Sequence, residues 1–215
     1  IAIEGFYDDV KPLEGWERDM WAQIPGMEKA DILAVTGSPD IHGEPGYSSA
    51  ERLWARPTAE VNGIGSGYQG EGSKTVLPAE AMAKFSFRLV PNQDPKDIME
   101  KVVKHLEKHT PAGVTVDVEV GHDGKPYYAD PNSAFGKAGQ AALEKAFGKK
   151  PVLIREGGSI PIIKDMQDIL GADSLLLGLA LPDCQIHAPN ENYYIENFES
   201  GIKMSQVLLE ELAKV

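Results

Sequence analysis

The stretch Arg155-Glu156-Gly157-Gly158-Ser159-Ile160-Pro161 lies between a short apolar segment, Val152–Ile154, and a helical pattern that begins near Ile160. A polar, glycine-rich turn between a strand and a helix is typical of ligand sites at the edge of an open α/β sheet. Its glycines let the backbone approach a ligand, and the amides at a helix start favour an anionic group such as a carboxylate. A well-capped helix after a tight turn is the alternative interpretation.

A second polar loop, Asp183-Cys184-Gln185-Ile186-His187-Ala188-Pro189-Asn190-Glu191, follows the segment Ser174–Leu179. That segment is apolar on both faces, which predicts a buried strand of a parallel sheet. A histidine in a polar loop at the carboxyl end of a strand is a candidate metal ligand or proton carrier. We therefore consider His187 a candidate ligand, with a purely structural histidine as the alternative. Two such loops at one sheet edge would form a single site.

The rest of the chain predicts two domains joined near Pro126–Pro131. Residues 1–126 combine helices and strands, which indicates an α+β layer with one covered sheet face. The predicted elements are helices at Leu13–Ile24, Met27–Val35, Ala50–Ala55 and Asp97–His109, and strands at Ala79–Leu89 and Val114–Val120. Residues 127–215 predict part of an α/β domain, in which helices at Ser133–Phe147 and Asn197–Ala213 accompany the two loops.

Composition excludes several classes of function. The 215 residues include 33 acidic and 21 basic side chains, giving a formal net charge of −12 without a compact basic stripe, which argues against nucleic-acid binding. The longest apolar run, Leu175–Leu181, is too short to span a membrane. A single cysteine, Cys184, cannot form an intrachain disulfide and favours a cytoplasmic location. The chain begins at Ile1 without an initiator methionine, so we expect a segment of a longer protein.

Two further motifs resemble a dinucleotide-binding loop and a zinc-protease helix, but neither matches its pattern fully. Gly65-Ser66-Gly67-Tyr68-Gln69-Gly70 has the glycine spacing of a dinucleotide-binding loop, but no helix is predicted after it, so nucleotide binding is not expected. His105 and His109 stand four residues apart on a predicted helix. Because Glu107 is one place away from the position of the glutamate in a zinc-protease helix, we interpret this pair as part of a solvent-exposed face.

Several segments together resemble the co-catalytic metallopeptidase family that includes carnosine dipeptidase and related cytosolic dipeptidases. The segments that carry the resemblance are Gly63-Ile64-Gly65, Gly70-Glu71-Gly72-Ser73-Lys74-Thr75-Val76-Leu77-Pro78, Phe85-Ser86-Phe87-Arg88-Leu89-Val90-Pro91, Gly121-His122-Asp123-Gly124-Lys125-Pro126, the Arg155–Pro161 stretch and His187-Ala188-Pro189-Asn190-Glu191. They occur in order through most of the chain. The resemblance implies part of a lid and dimerisation domain, an antiparallel sheet with helices, over 1–126. It implies the C-terminal part of a catalytic α/β domain over 127–215.

The resemblance also implies roles for individual residues. His187 would be a metal ligand, and Glu156 would be catalytic, lining the site near the amino end of the substrate. Arg88, Gly158 and Ser159 would bind the terminal carboxylate of a dipeptide or other short peptide. Thr75 and His122 would reach the substrate from the lid, Thr75 across a homodimer. Two divalent ions, of zinc, manganese or cobalt, would polarise the scissile carbonyl and supply a hydroxide near neutral pH.

This sequence departs from the family at the metal centre. The family's His-x-Asp motif, bridging Asp, adjacent Glu pair, further Asp ligand and lid histidine have no counterpart among these residues. We therefore expect the N-terminal half of the catalytic domain to be a required partner, and this chain to hold at most one metal weakly and to be inactive alone. Apolar surface around Leu175–Leu181 should be exposed without that half. The alternative function is a non-catalytic module that binds carboxylates or peptides.

Overall fold

The computed structural model describes residues 1–156 and 160–215, which divide into two compact units. The first unit runs from Ile1 to Tyr127 and includes a short segment that ends at Lys164; the second begins at Tyr128 and continues from Asp165 to Val215. The division lies beside the domain boundary predicted after residue 126. The identification of the two parts as a lid and a catalytic domain stays a prediction.

The described elements follow one another as α1 (Gly15–Trp21), α2 (Lys29–Thr36), α3 (Ser49–Ala55), β1 (Thr58–Ser66), β2 (Ala81–Arg88), α4 (Pro95–His109), α5 (Ala134–Phe147), α6 (Pro161–Leu170) and α7 (Ile195–Leu212). A short 3-10 turn covers Pro182–Cys184. No helix in residues 1–156 or 160–215 has the length and apolar character needed to cross a membrane.

Helices α1 and α3 share a small core built around two tryptophans. The rings of Trp21 and Trp54 meet edge to face with centroids 5.4 Å apart, and Ala55 is fully buried beside them. A capping box starts α3, because the Glu51 amide donates to Ser48 Oγ at 3.3 Å while the Ser48 amide donates to the Glu51 carboxylate at 2.6 Å. The predicted helix at Ala50–Ala55 is confirmed.

Strands β1 and β2 form an antiparallel pair, with Thr58 opposite Arg88 at one end and Ser66 opposite Ala81 at the other. The register shifts around Asn62, which has no partner in the ladder. The strand predicted at Ala79–Leu89 is confirmed as β2. The prediction missed β1, because glycines at 63 and 65 interrupt the β-branched pattern that marks a strand.

Helix α4 supplies the second core of this unit. Ile98 and Val102 are buried against Phe6, and Phe87 and Leu89 at the end of β2 pack onto them. The apolar spacing of α4 thus predicted both the helix and its buried face correctly.

The side chain of Gln93 ties the N-terminal segment to the turn after β2. It is buried, accepts a hydrogen bond from the Val90 amide at 3.0 Å and donates one to the Phe6 carbonyl at 2.7 Å. These bonds hold the strand end that carries Arg88.

In the second unit, helices α5 and α7 pack together and cover the extended segment 174–179. A Cβ atom at Gly139 would lie 3.3 Å from Leu177 Cδ2, and one at Gly201 only 2.7 Å from Leu179 Cδ1. The two glycines therefore let both helices approach these leucines closely.

Three predicted strands are wrong for the described part of the chain: Val114–Val120, Val152–Ile154 and Ser174–Leu179 do not pair into a ladder there. A strand requires a hydrogen-bonded neighbour, and the apolar pattern of a segment cannot show whether one is present. Ser174–Leu179 is also not buried on both faces, since Leu176 is 39% exposed. Leu181, at 43%, is exposed as well, so the expected uncovered apolar surface around Leu175–Leu181 is observed.

Candidate metal and substrate site

His187 lies on a loop anchored by a buried thiol and shaped by unusual backbone angles. Cys184 is only 1% exposed, and its Sγ accepts a hydrogen bond from the Leu181 amide at 3.3 Å. Gln185, His187 and Asn190 have φ angles of 52°, 62° and 65°. Left-handed backbone at non-glycine residues costs about 1–3 kcal/mol each and persists only where the surroundings impose it. The loop is therefore held in a specific shape, with the imidazole of His187 exposed to solvent.

Hydrogen bonds close the neck of this loop. The Asn192 amide donates to the Cys184 carbonyl at 3.0 Å, and Asn192 Nδ2 donates to the Asn190 carbonyl at 3.2 Å. The Tyr194 hydroxyl donates to Asp183 Oδ2 at 2.7 Å. This bond, with the negative charge of Asp183, raises the pKa of Tyr194 above its ordinary value. The ends of the loop are thus joined by both backbone and side-chain contacts.

The metal-ligand set of the described residues is incomplete. Across 1–156 and 160–215, no group of three or more His, Cys, Asp or Glu side chains converges as metal ligands would. A two-metal centre requires a bridging carboxylate and several further ligands. The residues present therefore do not fit a two-metal centre by themselves, and His187 can contribute one ligand only.

Glu156 ends the extended segment 151–156 and its side chain is exposed. Its neighbour Arg155 has its guanidinium 5.4 Å from the centroid of the Tyr128 ring, a cation–π contact that orients the end of this segment. Gly158 and Ser159 lie outside the described residues. Helix α6 begins at Pro161, and the prediction of a helix that begins near Ile160 is confirmed.

His122 lies in a segment that passes close to the start of α6. A Cβ atom at Gly124 would be 2.9 Å from both Cβ and Cγ of Pro161, so only a glycine permits this approach. His122 is exposed two residues earlier in the chain. The structure therefore brings the segment of His122 next to the helix that follows the predicted carboxylate-binding turn.

Arg88 and Thr75 belong to the same β-hairpin but not to the same end of it. Arg88 is the last residue of β2, whereas Thr75 lies on the exposed connection between Ser66 and Ala81. At about 3.4 Å per residue, β2 separates Arg88 from Ala81 by about 24 Å. The Ser66 hydroxyl donates to the Glu80 carbonyl at 3.3 Å and closes the base of that connection. The two residues are therefore not brought together along this strand.

The residues that support these candidates were not predicted from the sequence. The contacts of Tyr128 with Arg155 and of Tyr194 with Asp183 join positions that no periodicity or short motif relates. The one feature of the sequence that could have indicated these contacts is a tyrosine in the predicted hinge, Tyr128, and another after the polar loop, Tyr194. A tyrosine at such a position is equally typical of hydrophobic packing.

The family comparison concerns the first unit. Residues 13–114 match the model of the M20 peptidase dimerisation domain. This region is therefore similar to that domain, in agreement with the predicted antiparallel sheet with helices.

Individual relatives extend this similarity over the whole chain. The Cys-Gly metallodipeptidase DUG1 of Saccharomyces cerevisiae is 32% identical over 98% of this chain, and the Beta-Ala-His dipeptidase of Mus musculus is 29% identical over 100%. The crystal structure of the M20 family metallo-carboxypeptidase Sso-CP2 from Sulfolobus solfataricus superposes with a TM-score of 0.85, at 32% identity over 100% of this chain. The homologues of this chain are thus M20 metallopeptidases, as the sequence motifs predicted.

The chain is much shorter than these relatives. It spans 44% of the length of both dipeptidases and 49% of the Sulfolobus structure. The homologous region thus represents slightly less than half of each relative.

Proposed function

We propose that this chain is the C-terminal part of a metal-dependent dipeptidase that hydrolyses short peptides with a metal-activated water. The observation that carries the proposal is the similarity to dipeptidases over 98–100% of the chain, combined with a coverage of 44% of those relatives. Within the complete enzyme, residues 1–126 would form part of the lid and dimerisation domain, and residues 127–215 part of the catalytic domain.

His187 would supply one ligand to a centre of two divalent ions, of zinc, manganese or cobalt. Its imidazole is exposed, on a loop closed by Asp183, Asn192 and Tyr194. It could therefore bind a metal ion whose other ligands come from another segment. Glu156 would act as the catalytic residue beside that centre. Because the described residues lack a complete ligand set, this chain alone would hold at most one ion at His187, weakly.

Substrate binding would use five residues. Arg88, with Gly158 and Ser159, would bind the substrate carboxylate through a guanidinium fork and a helix start, a pairing suited to that group. His122 would join them, supported by the packing of Gly124 on Pro161. Thr75 would act on the substrate bound by a second copy, supported by its place at the opposite end of the hairpin from Arg88. A homodimer through the lid and a cytoplasmic location complete the proposal.

A second candidate is a non-catalytic module that binds the carboxylate of a peptide. The absence of a converging ligand group among the described residues favours it, since carboxylate recognition requires no metal. The two candidates differ in whether a metal centre forms when the missing ligands are supplied.

The test combines metal titration with complementation. We would titrate zinc and then manganese into the intact chain and into His187→Gln, and assay hydrolysis of Cys-Gly and β-Ala-His. We expect the intact chain to bind one weak metal ion more than His187→Gln. We expect neither protein to hydrolyse the two dipeptides. Adding a second polypeptide that carries the His-x-Asp and Glu-Glu motifs should produce hydrolysis, which His187→Gln abolishes.

Two tight ions per chain at His187, or hydrolysis by the chain alone, would contradict the proposed fragment. The complemented protein could also bind metal and peptide without hydrolysing the peptide. That result would favour the non-catalytic binding module.

A further inference from the structure

Helix α4 carries two imidazoles, a half-buried His105 and an exposed His109, separate from every residue assigned to the peptidase site. His105 and His109 are four residues apart, and their rings lie with centroids 4.2 Å apart at 34°. We propose that they form a second metal site, which binds a zinc, nickel or copper ion. This inference does not depend on the proposed peptidase function.

The geometry of the pair suits a single shared ion. Nitrogen atoms bound to one zinc ion at about 2.0–2.1 Å each lie no more than about 4.2 Å apart. The ring centroids lie 4.2 Å apart, on consecutive turns of a helix that is packed against the core through Ile98 and Val102, so both side chains are within reach of one ion. Side-chain rotation is therefore sufficient, and the backbone need not move.

The hydrogen bond of His109 also selects the form of imidazole that binds metals. Its Nδ1 lies 2.7 Å from the His105 carbonyl oxygen, which can only accept, so Nδ1 carries a proton. In the neutral ring this leaves the lone pair on Nε2, which is directed away from that carbonyl. Metal-binding histidines in proteins are typically held in this way by a second hydrogen bond to a carbonyl or carboxylate.

The nearby lysines do not create an unbalanced positive field. Lys104 pairs with Glu100 at 3.7 Å, and Lys108 pairs with Glu4 at 3.5 Å. The formal net charge of −12 for the whole chain also attracts cations over longer distances.

The ligand type defines the class of ion. Imidazole nitrogen suits zinc, copper and nickel, whereas magnesium and calcium prefer oxygen ligands. No third His, Cys, Asp or Glu of the described residues joins the pair, so water would complete the coordination. The site would consequently bind less tightly than a structural zinc site with four protein ligands.

The experiment uses the five histidines of the chain as internal controls. Zinc binding is measured by calorimetry in a His187→Gln background, which removes the proposed peptidase ligand. Adding His105→Gln or His109→Gln should weaken the remaining site at least tenfold, because even loss of an outer-shell partner typically costs about 10–100-fold. Adding His42→Gln or His122→Gln should leave it unchanged. Circular dichroism verifies that each variant remains folded.

A spacing control separates a chelate from a single exposed imidazole. The double variant His109→Gln/Glu107→His keeps the number of histidines on α4 but places them two residues apart, where side chains do not face each other. We expect it to bind as weakly as His109→Gln. With copper, electron paramagnetic resonance should show two coupled nitrogens in the His187→Gln protein and one after His109→Gln. Unchanged zinc affinity in the His105 or His109 variants, or full affinity in the spacing control, would overturn the proposal.

Discussion

The hydroxyl of Tyr194 donates a 2.7 Å hydrogen bond to the carboxylate of Asp183, across the loop that carries His187. The contact spans eleven positions in sequence and joins the start of the loop to the residue before α7. Its effect on the titration of Tyr194 makes it accessible to measurement.

We predict that Tyr194 ionises later than an ordinary tyrosine and that this contact contributes stability which is lost at alkaline pH. Its folded-state pKa is raised, first by the hydrogen bond to Asp183 and then by the charge of that carboxylate. The contribution is therefore fully present below the unfolded value of about 10, and disappears as the pH rises through the folded-state pKa.

The measurement is absorbance of tyrosinate against pH for the chain and for Tyr194→Phe. The difference between the two curves should show one late-titrating group. The neighbouring Tyr193→Phe serves as a matched control and should leave the late-titrating group in place. An unshifted titration of Tyr194 would show that the contact with Asp183 does not persist in solution.

The guanidinium of Arg56 provides a second test, because it is enclosed by three partners. It donates two 2.7 Å hydrogen bonds to the Glu44 carboxylate and lies between the rings of Tyr7 and Tyr47, at 4.9 and 4.4 Å from their centroids. Burial alone would lower the pKa of Arg56, but its bonds to Glu44 leave that pKa raised.

Arg56→Lys should reduce the free energy of unfolding by about 1–3 kcal/mol, because an ammonium group cannot donate the paired bonds or stack between two rings. Denaturant unfolding followed by circular dichroism measures the change. Lys104→Met, which removes an exposed ion pair with Glu100, should change stability by less than about 0.5 kcal/mol. Equal effects of the two substitutions would contradict a structural role for the Arg56 contacts.

Gly136 tests the close approach at the start of α5. A Cβ atom there would lie 2.6 Å from the Pro131 carbonyl oxygen and 2.7 Å from that of Asp130. These are backbone atoms and cannot move aside cheaply, so Gly136→Ala should destabilise the chain by about 1–3 kcal/mol. Gly15→Ala, at a helical position with nothing within 4 Å, should be neutral or stabilising by up to about 1 kcal/mol. Thermal unfolding of both variants gives the comparison.

Local signals in the sequence predicted the helices well and the sheet only in part. The apolar spacing of α4 and the proline at the start of α6 act within one turn of chain, so their effects can be predicted from adjacent residues. Strand β1 and the failed strands at 114–120, 152–154 and 174–179 depend instead on which segment lies beside them. For this reason only β2 was predicted within about two residues.

In the candidate site, too, features within one short motif were predicted from the sequence, whereas contacts between distant residues were not. Short motifs predicted the loop of His187 and the helix that begins at Pro161, because the residues of each motif stand close together in sequence. The positions of Arg88 and Thr75 at opposite ends of a hairpin, and the packing of Gly124 on Pro161, are consequences of tertiary structure. The spacing of residues in the sequence does not predict these tertiary relationships.

The extended segment 174–179 provides the last prediction, because its two faces differ in the structure although both are apolar in sequence. Leu177 lies against Gly139 of α5 and Leu179 against Gly201 of α7, whereas Leu176 is 39% exposed. Alternation of this kind indicates an extended segment covered by helices on one side only.

Leu177→Ala should therefore reduce the free energy of unfolding of this chain by about 2–3 kcal/mol, and Leu176→Ala by less than half as much. Denaturant unfolding of the two variants gives both values. In a complemented or longer protein, in which a further layer covers the other face, the effect of Leu176→Ala should rise toward that of Leu177→Ala. If Leu176→Ala and Leu177→Ala reduced the free energy of unfolding of this chain equally, both faces of the segment would already be covered. The apolar surface around Leu176 would then not be a contact surface for another segment.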